Sequence, residues 1–263
     1  MAIRVEKPPV ALIAGPTAGG KSALALRLAE QTGGVIVNVD SAQIYRDLPI
    51  LSAAPGPEER TRAEHRLYGV LDGIQSCSAA DWAAMARREI KDVHASGRMP
   101  ILVGGTGLYL RTLLEGIAPV PAIDPDLRRE VRGAPVEENR DRLSRLDAKA
   151  AERLKPTDTT RIARALEVVL SSGKTLAEWQ KQREGGIANA VELKPLILLP
   201  PRDWLYRRCD QRFRHMIELG ASDEVRTLID RQLDPALPVM RAIGVREIAA
   251  WLKGDVTRED AIA

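Results

Sequence analysis

One segment constrains this chain more than any other: Gly15, Pro16, Thr17, Ala18, Gly19, Gly20, Lys21 and Ser22, between an apolar run and a helix-forming one. It fits the spacing G-x-x-x-x-G-K-[ST], a P-loop, and the motif is specific when a strand precedes it and a helix follows. Val10 to Ala14 supplies the strand and Ser22 to Gln31 the helix. The glycines let backbone N–H groups curl round phosphate oxygens, and the helix N-terminus adds partial positive charge. Lys21 is expected to reach a terminal phosphate, and Ser22 to ligate Mg²⁺.

The pattern beyond the loop predicts an α/β fold. Gly33-Gly34 ends the first helix and Val35 to Val39 gives a second strand, a βαβ unit whose strands run parallel. Leu48 to Gly73 reads mostly as loop. Ser78, with Asp81 three residues on, opens a helix with a stripe of Trp82, Ala86, Ile90 and Val93. Pro100 to Val103 is a third strand, followed by Gly104-Gly105-Thr106-Gly107 and a helix from Leu108 to Leu114. Between 115 and 193 no strand is convincing, while Ile162, Leu166 and Val169 mark an amphipathic helix closed by Gly173. Pro195 to Leu199 returns as a strand, and Leu205, Cys209, Phe213, Met216 and Ile217 form the buried stripe of a long helix. The expected architecture is a P-loop NTPase-like parallel sheet flanked by helices. Its core, 1–114 with 194–263, is interrupted by a helical insertion domain, 115–193.

Composition narrows the setting. No run approaches the ~18 apolar residues of a membrane span, and the N-terminus lacks the apolar stretch of a signal peptide. Cys77 and Cys209 are too far apart in sequence for a metal motif and read as free core thiols in a reducing, cytoplasmic compartment. The net charge of +3 does not announce a nucleic-acid binder, and the Arg-rich stretches read first as solvated helix faces.

Further residues gather at the edge where open parallel sheets bind ligands. Asp40 follows the second strand directly, where a carboxylate could hold Mg²⁺, accept a proton or shape a turn. The third strand carries no Asp or Glu, so the acid that commonly accompanies a P-loop is missing there. The second glycine turn brings Thr106 toward the same edge. His65, His94 and His215 show no metal spacing. Arg161 and Arg164, like Arg208 and Arg212, lie about one helical turn apart, on faces that could meet phosphate or only solvent.

Five blocks then occur in a familiar order: GPTAGGKS (15–22), NVDSAQIY (38–45), VGGTGLYL (103–110), TRIARALEV (160–168) and RAIGVREI (241–248). In this the chain resembles the bacterial tRNA dimethylallyltransferases, over nearly its whole length. The resemblance implies transfer of a dimethylallyl group from dimethylallyl pyrophosphate to N6 of adenosine 37, beside the anticodon. It implies Asp40 as general base, Thr106 helping to hold the amino group, and Thr17 to Ser22 around the pyrophosphate, with Arg212 helping to neutralise it. Asp40, Ser41, Ala42 and Gln43 would contact the adenosine. Arg128, Thr160, Arg161, Ile162, Ala163 and Arg164 would touch the tRNA anticodon stem-loop. Packing of Ile162, Leu166 and Val169 is expected to leave the guanidinium groups of Arg161 and Arg164 free, and a monomer is expected. Family members continue past Ala263 with a further basic helix, usually carry an aromatic where Val245 stands, and are longer around 131–145. These departures leave the core motifs intact and bear on tRNA affinity and stability. Three other readings stand beside the leading one: prenyl transfer to free adenine nucleotide, a P-loop small-molecule kinase, and a truncated chain that binds tRNA or nucleotide without turnover.

Overall fold

The computed structural model describes residues 6–262. Its chain order is β1 (Pro9–Ala14), α1 (Lys21–Thr32), β2 (Val35–Val39), α2 (Pro57–Arg62), β3 (His65–Arg66), α3 (Ala79–Ala95), β4 (Pro100–Gly104) and α4 (Gly107–Glu115). Five helices follow: α5 (Pro125–Gly133), α6 (Val136–Leu146), α7 (Ala148–Arg153), α8 (Thr159–Ser172) and α9 (Leu176–Trp179). The chain then returns through β5 (Glu192–Ile197), α10 (Arg202–Glu218), α11 (Ala221–Asp230), a 3₁₀ turn, α12 (Val245–Lys253) and α13 (Arg258–Ile262). It divides into two compact units, Met1–Leu114 with Ile187–Ala263, and Glu115–Gly186. The second unit thus closes at Gly186, short of 193. Among the described residues no helix is long and apolar enough to cross a membrane.

The first unit is built on a parallel sheet in the order β3-β2-β4-β1-β5. Alternate residues of one strand enter opposite cores, as the two-residue period requires. Val10 and Leu12 join Val37, Val39 and Leu102 on one face, with Trp82, Ala83, Ala86 and Ile90 of α3. Ala11 and Ile13 join Ile36, Ile101 and Val103 on the other, under Ala25, Leu26 and Ala29 of α1. A sheet buried on both faces explains why its inner strands read as continuous apolar runs.

The last strand departs from expectation. It spans Glu192–Ile197 rather than Pro195 to Leu199, and it lies at the edge, with Ile197 61% exposed. An edge place suits Pro195, which has no N–H to offer a further neighbour. Two more readings need correction. The stretch 48–73 holds α2 and β3, whose two residues pair with Ile36 and Val37 and are too short to leave a periodic signal. Leu205, Cys209 and Phe213 are half-buried, leaving Met216 and Ile217 as the buried part of their stripe; Cys77 too is half-buried, so neither thiol lies in the core.

Side chains far along the chain pin the segment after β2. Glu224 accepts from the backbone N–H groups of Ile50 at 2.7 Å and Leu51 at 2.9 Å. Arg231 bridges Asp47 and Asp72. A loop that leads away from the binding edge is thereby held by α11 and the residue that follows it.

The second unit has its own core of Val131, Leu143, Ala150, Ala151, Ile162, Leu166 and neighbours. Asp158 caps α8 by accepting from the N–H of Arg161 at 3.1 Å, and Gly173 ends it at φ 68°.

Candidate active site

The P-loop follows β1 as a tight turn in which the Gly19 N–H donates to Pro16 O at 3.2 Å. Gly15 admits no side chain, since a Cβ there would lie 2.6 Å from the carbonyl oxygen of Leu198. Ala18 sits at φ 58°, and its carbonyl accepts from Arg208 Nε at 3.1 Å. The loop leads into α1 through Gly20, at φ 90°. Unlike α3 and α8, this helix has no side-chain cap, and unlike α3 it carries no acid in its first turn. Its leading N–H groups are thus kept from internal anionic partners, as an anion site requires. Lys21 Nζ donates to Pro16 O at 2.7 Å. Burial pushes the Lys21 ammonium below the ordinary lysine value, an effect that nearby Asp40 opposes and Arg212 reinforces.

Asp40 stands half-buried at the end of β2. Its Oδ1 accepts from the Ala42 N–H at 2.9 Å, so the residue also forms the turn that the sequence allowed. Its backbone is gripped by Asn38, whose fully buried side chain accepts from the Asp40 N–H at 2.7 Å and donates to Asp40 O at 2.9 Å. The same Asn38 amide donates to Leu67 O at 2.9 Å, and Trp82 Nε1 donates to Asn38 O at 3.1 Å. Thr106 is fastened beside Asp40: its N–H donates to Val39 O, and its Oγ1 accepts from the Ser41 N–H, both at 3.2 Å. Gly104 permits that approach, because a Cβ there would overlap Val39 O.

These parts border a cleft of about 530 Å³. Thr17 to Ser22, Asp40, Gln43 and Arg212 line it, together with Ser52, Ala53, Glu59, Arg208, Gln211 and His215. Gly15, Pro16, Ser41, Ala42 and Thr106 are not on its wall. Gln43 spends its Nε2 on Ser52 O and Ala53 O, at 2.9 and 2.8 Å. Arg208 stacks 4.6 Å over the Trp204 ring, which holds the guanidinium on the cleft side of α10. Oxygen donors of the kind a hard divalent cation takes also meet here, namely the exposed Ser22 hydroxyl and the carboxylates of Asp40 and Glu59. Among the described residues no group of three or more His, Cys, Asp or Glu could form a complete protein cage.

The second unit carries the other expected residues. Thr160 and Arg161 are exposed and Arg164 half-buried, but Ile162 and Ala163 belong to the core, at 1% and 7% exposure. Any contact made by side chains of that stretch falls to Thr160, Arg161 and Arg164. Neither arginine is free: Arg161 pairs with Asp158 at 3.1 Å, and Arg164 with Glu167 at 3.6 Å. Arg128 approaches the same Glu167 at 3.8 Å.

Residues 43–263 match the family model described as IPP transferase. The chain is 57% identical to the tRNA dimethylallyltransferase of Erythrobacter litoralis over 263 residues, covering 98% of this chain and 83% of that one. It is 60% identical to the protein of that name in Sphingopyxis alaskensis over 255 residues, 97% of this chain and 83% of the other. The chain belongs to the IPP transferase family. Among solved structures, the full-length tRNA isopentenylpyrophosphate transferase of Bacillus halodurans aligns over 98% of this chain and 81% of its own. The TM-score is 0.67 at 33% identity. A eukaryotic dimethylallyltransferase acting on tRNA aligns over 97% of this chain and 65% of its own, with a TM-score of 0.83 at 27% identity.

Several residues around this IPP transferase cleft escaped the sequence reading. Asn38 had a signal, a polar residue inside an otherwise apolar strand and two places before Asp40. Gln211 and His215 had one as well, since 208, 211, 212 and 215 fall at helical spacing on one face. Glu59 gave none beyond an acidic pair after Pro57, and Ser52 and Ala53 gave none at all.

Proposed function

We propose that this IPP transferase moves a dimethylallyl group from dimethylallyl pyrophosphate to N6 of the adenosine beside the tRNA anticodon. The observation that carries the reading is the meeting of the uncapped P-loop and Asp40 in one cleft, with Thr106 tied to the Asp40 turn. The backbone N–H groups of Thr17 to Ser22, Lys21 and Arg212 bind the pyrophosphate and offset the charge that grows on it as it leaves. The N6 nitrogen attacks the allylic carbon, the carbon–oxygen bond to pyrophosphate breaks, and Asp40 takes the proton released by the amine. Asn38 fixes the backbone of Asp40, and so the place from which its carboxylate acts. Ser22, with Asp40 and Glu59 at hand, would hold Mg²⁺, which supplies further charge neutralisation to the pyrophosphate when bound.

An exocyclic amine inside a stacked loop is out of reach, so the base must be turned out into the cleft. Gln43, on the cleft wall and braced against Ser52 and Ala53, receives that base, and the Ser41-Ala42 turn acts from behind the wall by holding Asp40 and Gln43 in place. The second unit supplies the anticodon stem-loop contacts, through Arg128, Thr160, Arg161 and Arg164. The protein acts as a monomer. The test offers isotope-labelled dimethylallyl pyrophosphate with either AMP or an anticodon stem-loop RNA. Label in the stem-loop alone supports the reading, whereas efficient labelling of AMP makes the enzyme a free-nucleotide prenyltransferase.

A further inference from the structure

The second unit contains a charge arrangement that the motifs did not single out. Glu167, on α8, is completely buried, yet three guanidinium groups surround it. Arg132 Nε donates to its Oε1 at 2.7 Å. Its Oε2 has no hydrogen-bond partner and lies 3.6 Å from Arg164 and 3.8 Å from Arg128, just outside hydrogen-bond reach. The three arginine side chains are 57%, 39% and 46% exposed, in the order Arg132, Arg164, Arg128. Arg128 and Arg132 stand one turn apart on α5, and Arg164 stands one turn before Glu167 on α8.

We infer that Glu167 is a positioning residue that gathers Arg128, Arg132 and Arg164 into one outward-facing fan for the RNA backbone, with Arg132 as an additional phosphate contact. The inference rests on the tRNA reading above and adds two residues to it. A buried carboxylate contributes little net stability, because its desolvation offsets most of the attraction it gains. Its geometric effect is larger. A guanidinium presents N–H donors on more than one edge, so an arginine held at one edge by Glu167 can still offer another to phosphate. Three cations against one anion leave two positive charges uncompensated in the cluster. Arginines held in place before the RNA arrives also lose less rotamer freedom on binding.

The experiment measures the full chain against a fluorescein-labelled anticodon stem-loop by anisotropy over a series of salt concentrations. Arg132→Ala, at an exposed position, should lower the log–log salt slope by about 0.7–0.9, the worth of one phosphate contact. Arg129→Ala, on the same helix but paired with Asp126 rather than Glu167, should leave the slope unchanged. Glu167→Gln raises the net positive charge, so an unstructured basic patch would then bind RNA more tightly. The fan predicts the reverse, about tenfold weaker binding from the ordering that one or two long side chains must now undergo. Dimethylallyl pyrophosphate affinity should not change in any variant. An unchanged slope in Arg132→Ala, or equal or tighter binding by Glu167→Gln, overturns the inference while the tRNA reading stands. If Glu167→Gln melts early, the Arg132→Ala slope decides alone. Absence of any stem-loop binding by the unaltered chain overturns the tRNA reading, and this inference with it.

Discussion

The cleft of the first unit and the arginine fan of the second both point to anions, but they are built from different materials. The cleft is mostly backbone: a loop shaped by Gly15 and Gly20, an uncapped helix end, and a carboxylate whose main chain Asn38 clamps on both sides. The fan is all side chain, three long arginines converging on one buried carboxylate. Backbone sites are set once the chain folds and cost no further ordering, which suits a place where charge develops during a reaction. The fan is held at one edge by a single carboxylate and leaves its outer edges to a polymer bound mainly through its phosphates. Single substitutions should therefore act steeply on turnover in the first unit and gradually on RNA affinity in the second.

The largest effect is expected at Asp40. Asp40→Asn keeps the shape but cannot take a proton, so turnover should fall about 10²–10⁴-fold with donor affinity nearly unchanged. Single-turnover kinetics beside donor titration checks this. A variant that loses metal-dependent donor binding but keeps its chemical rate would make Asp40 a magnesium ligand. Next comes Lys21→Ala, which removes a charge-assisted contact of about 1.5–3 kcal/mol, so donor affinity and turnover should drop together by roughly 10–100-fold. Kinetics unaffected by that change would take the P-loop out of the mechanism.

Asn38→Ala sharpens the comparison from within the first unit. It strips partners from buried backbone groups and should cost about 1–3 kcal/mol of stability. At temperatures where the variant stays folded, kcat should fall with KM for the donor little changed. A melting shift without any loss of kcat would leave Asn38 a fold residue only.

In the second unit, Arg161→Ala with Arg164→Ala should reduce the RNA salt slope by roughly 0.7 per lost contact and raise the KM for tRNA. Thermal stability and donor affinity should change little, because Arg161 is exposed and Arg164 makes only a long ion pair. Early melting with normal RNA binding would return both residues to the fold. The smallest effect concerns pH. Burial lowers the Lys21 value, so the ammonium that the donor needs is lost earlier as pH rises than in an exposed lysine. Donor binding, followed by titration calorimetry, should weaken on the alkaline side below the ordinary value of 10.5. Binding flat to that value would contradict the assignment of Lys21.

The same contrast explains what could be read from the sequence. Backbone sites leave motifs, because glycine at a left-handed position and lysine at a helix start tolerate few replacements. Gly20, Lys21 and the Asp40 turn were therefore visible before any fold was known. β2, α1 and the end of α8 at Gly173 followed from apolar periodicity and glycine punctuation. Glu167 was hidden because a charged residue between Leu166 and Val168 looks like the polar side of an amphipathic helix, and only the packed unit buries it. Arg161 and Arg164 were read as free because their partners, Asp158 and Glu167, are also three residues away on the same helix and give no separate signal. β3 was missed for its brevity, and β5 was misplaced because Pro195 looked like a start when it is tolerated within an edge strand.

The central claim is that the P-loop and Asp40 together serve prenyl transfer to a tRNA base. It is tested most directly by incubating the protein with a tRNA mixture and isotope-labelled dimethylallyl pyrophosphate, then digesting the RNA to nucleosides for mass spectrometry. The account predicts labelled N6-isopentenyladenosine in tRNAs with an adenosine beside the anticodon, and none with Asp40→Asn at matched times. Phosphoryl transfer from ATP with no labelled nucleoside, or labelling unaffected by Asp40→Asn, would contradict it.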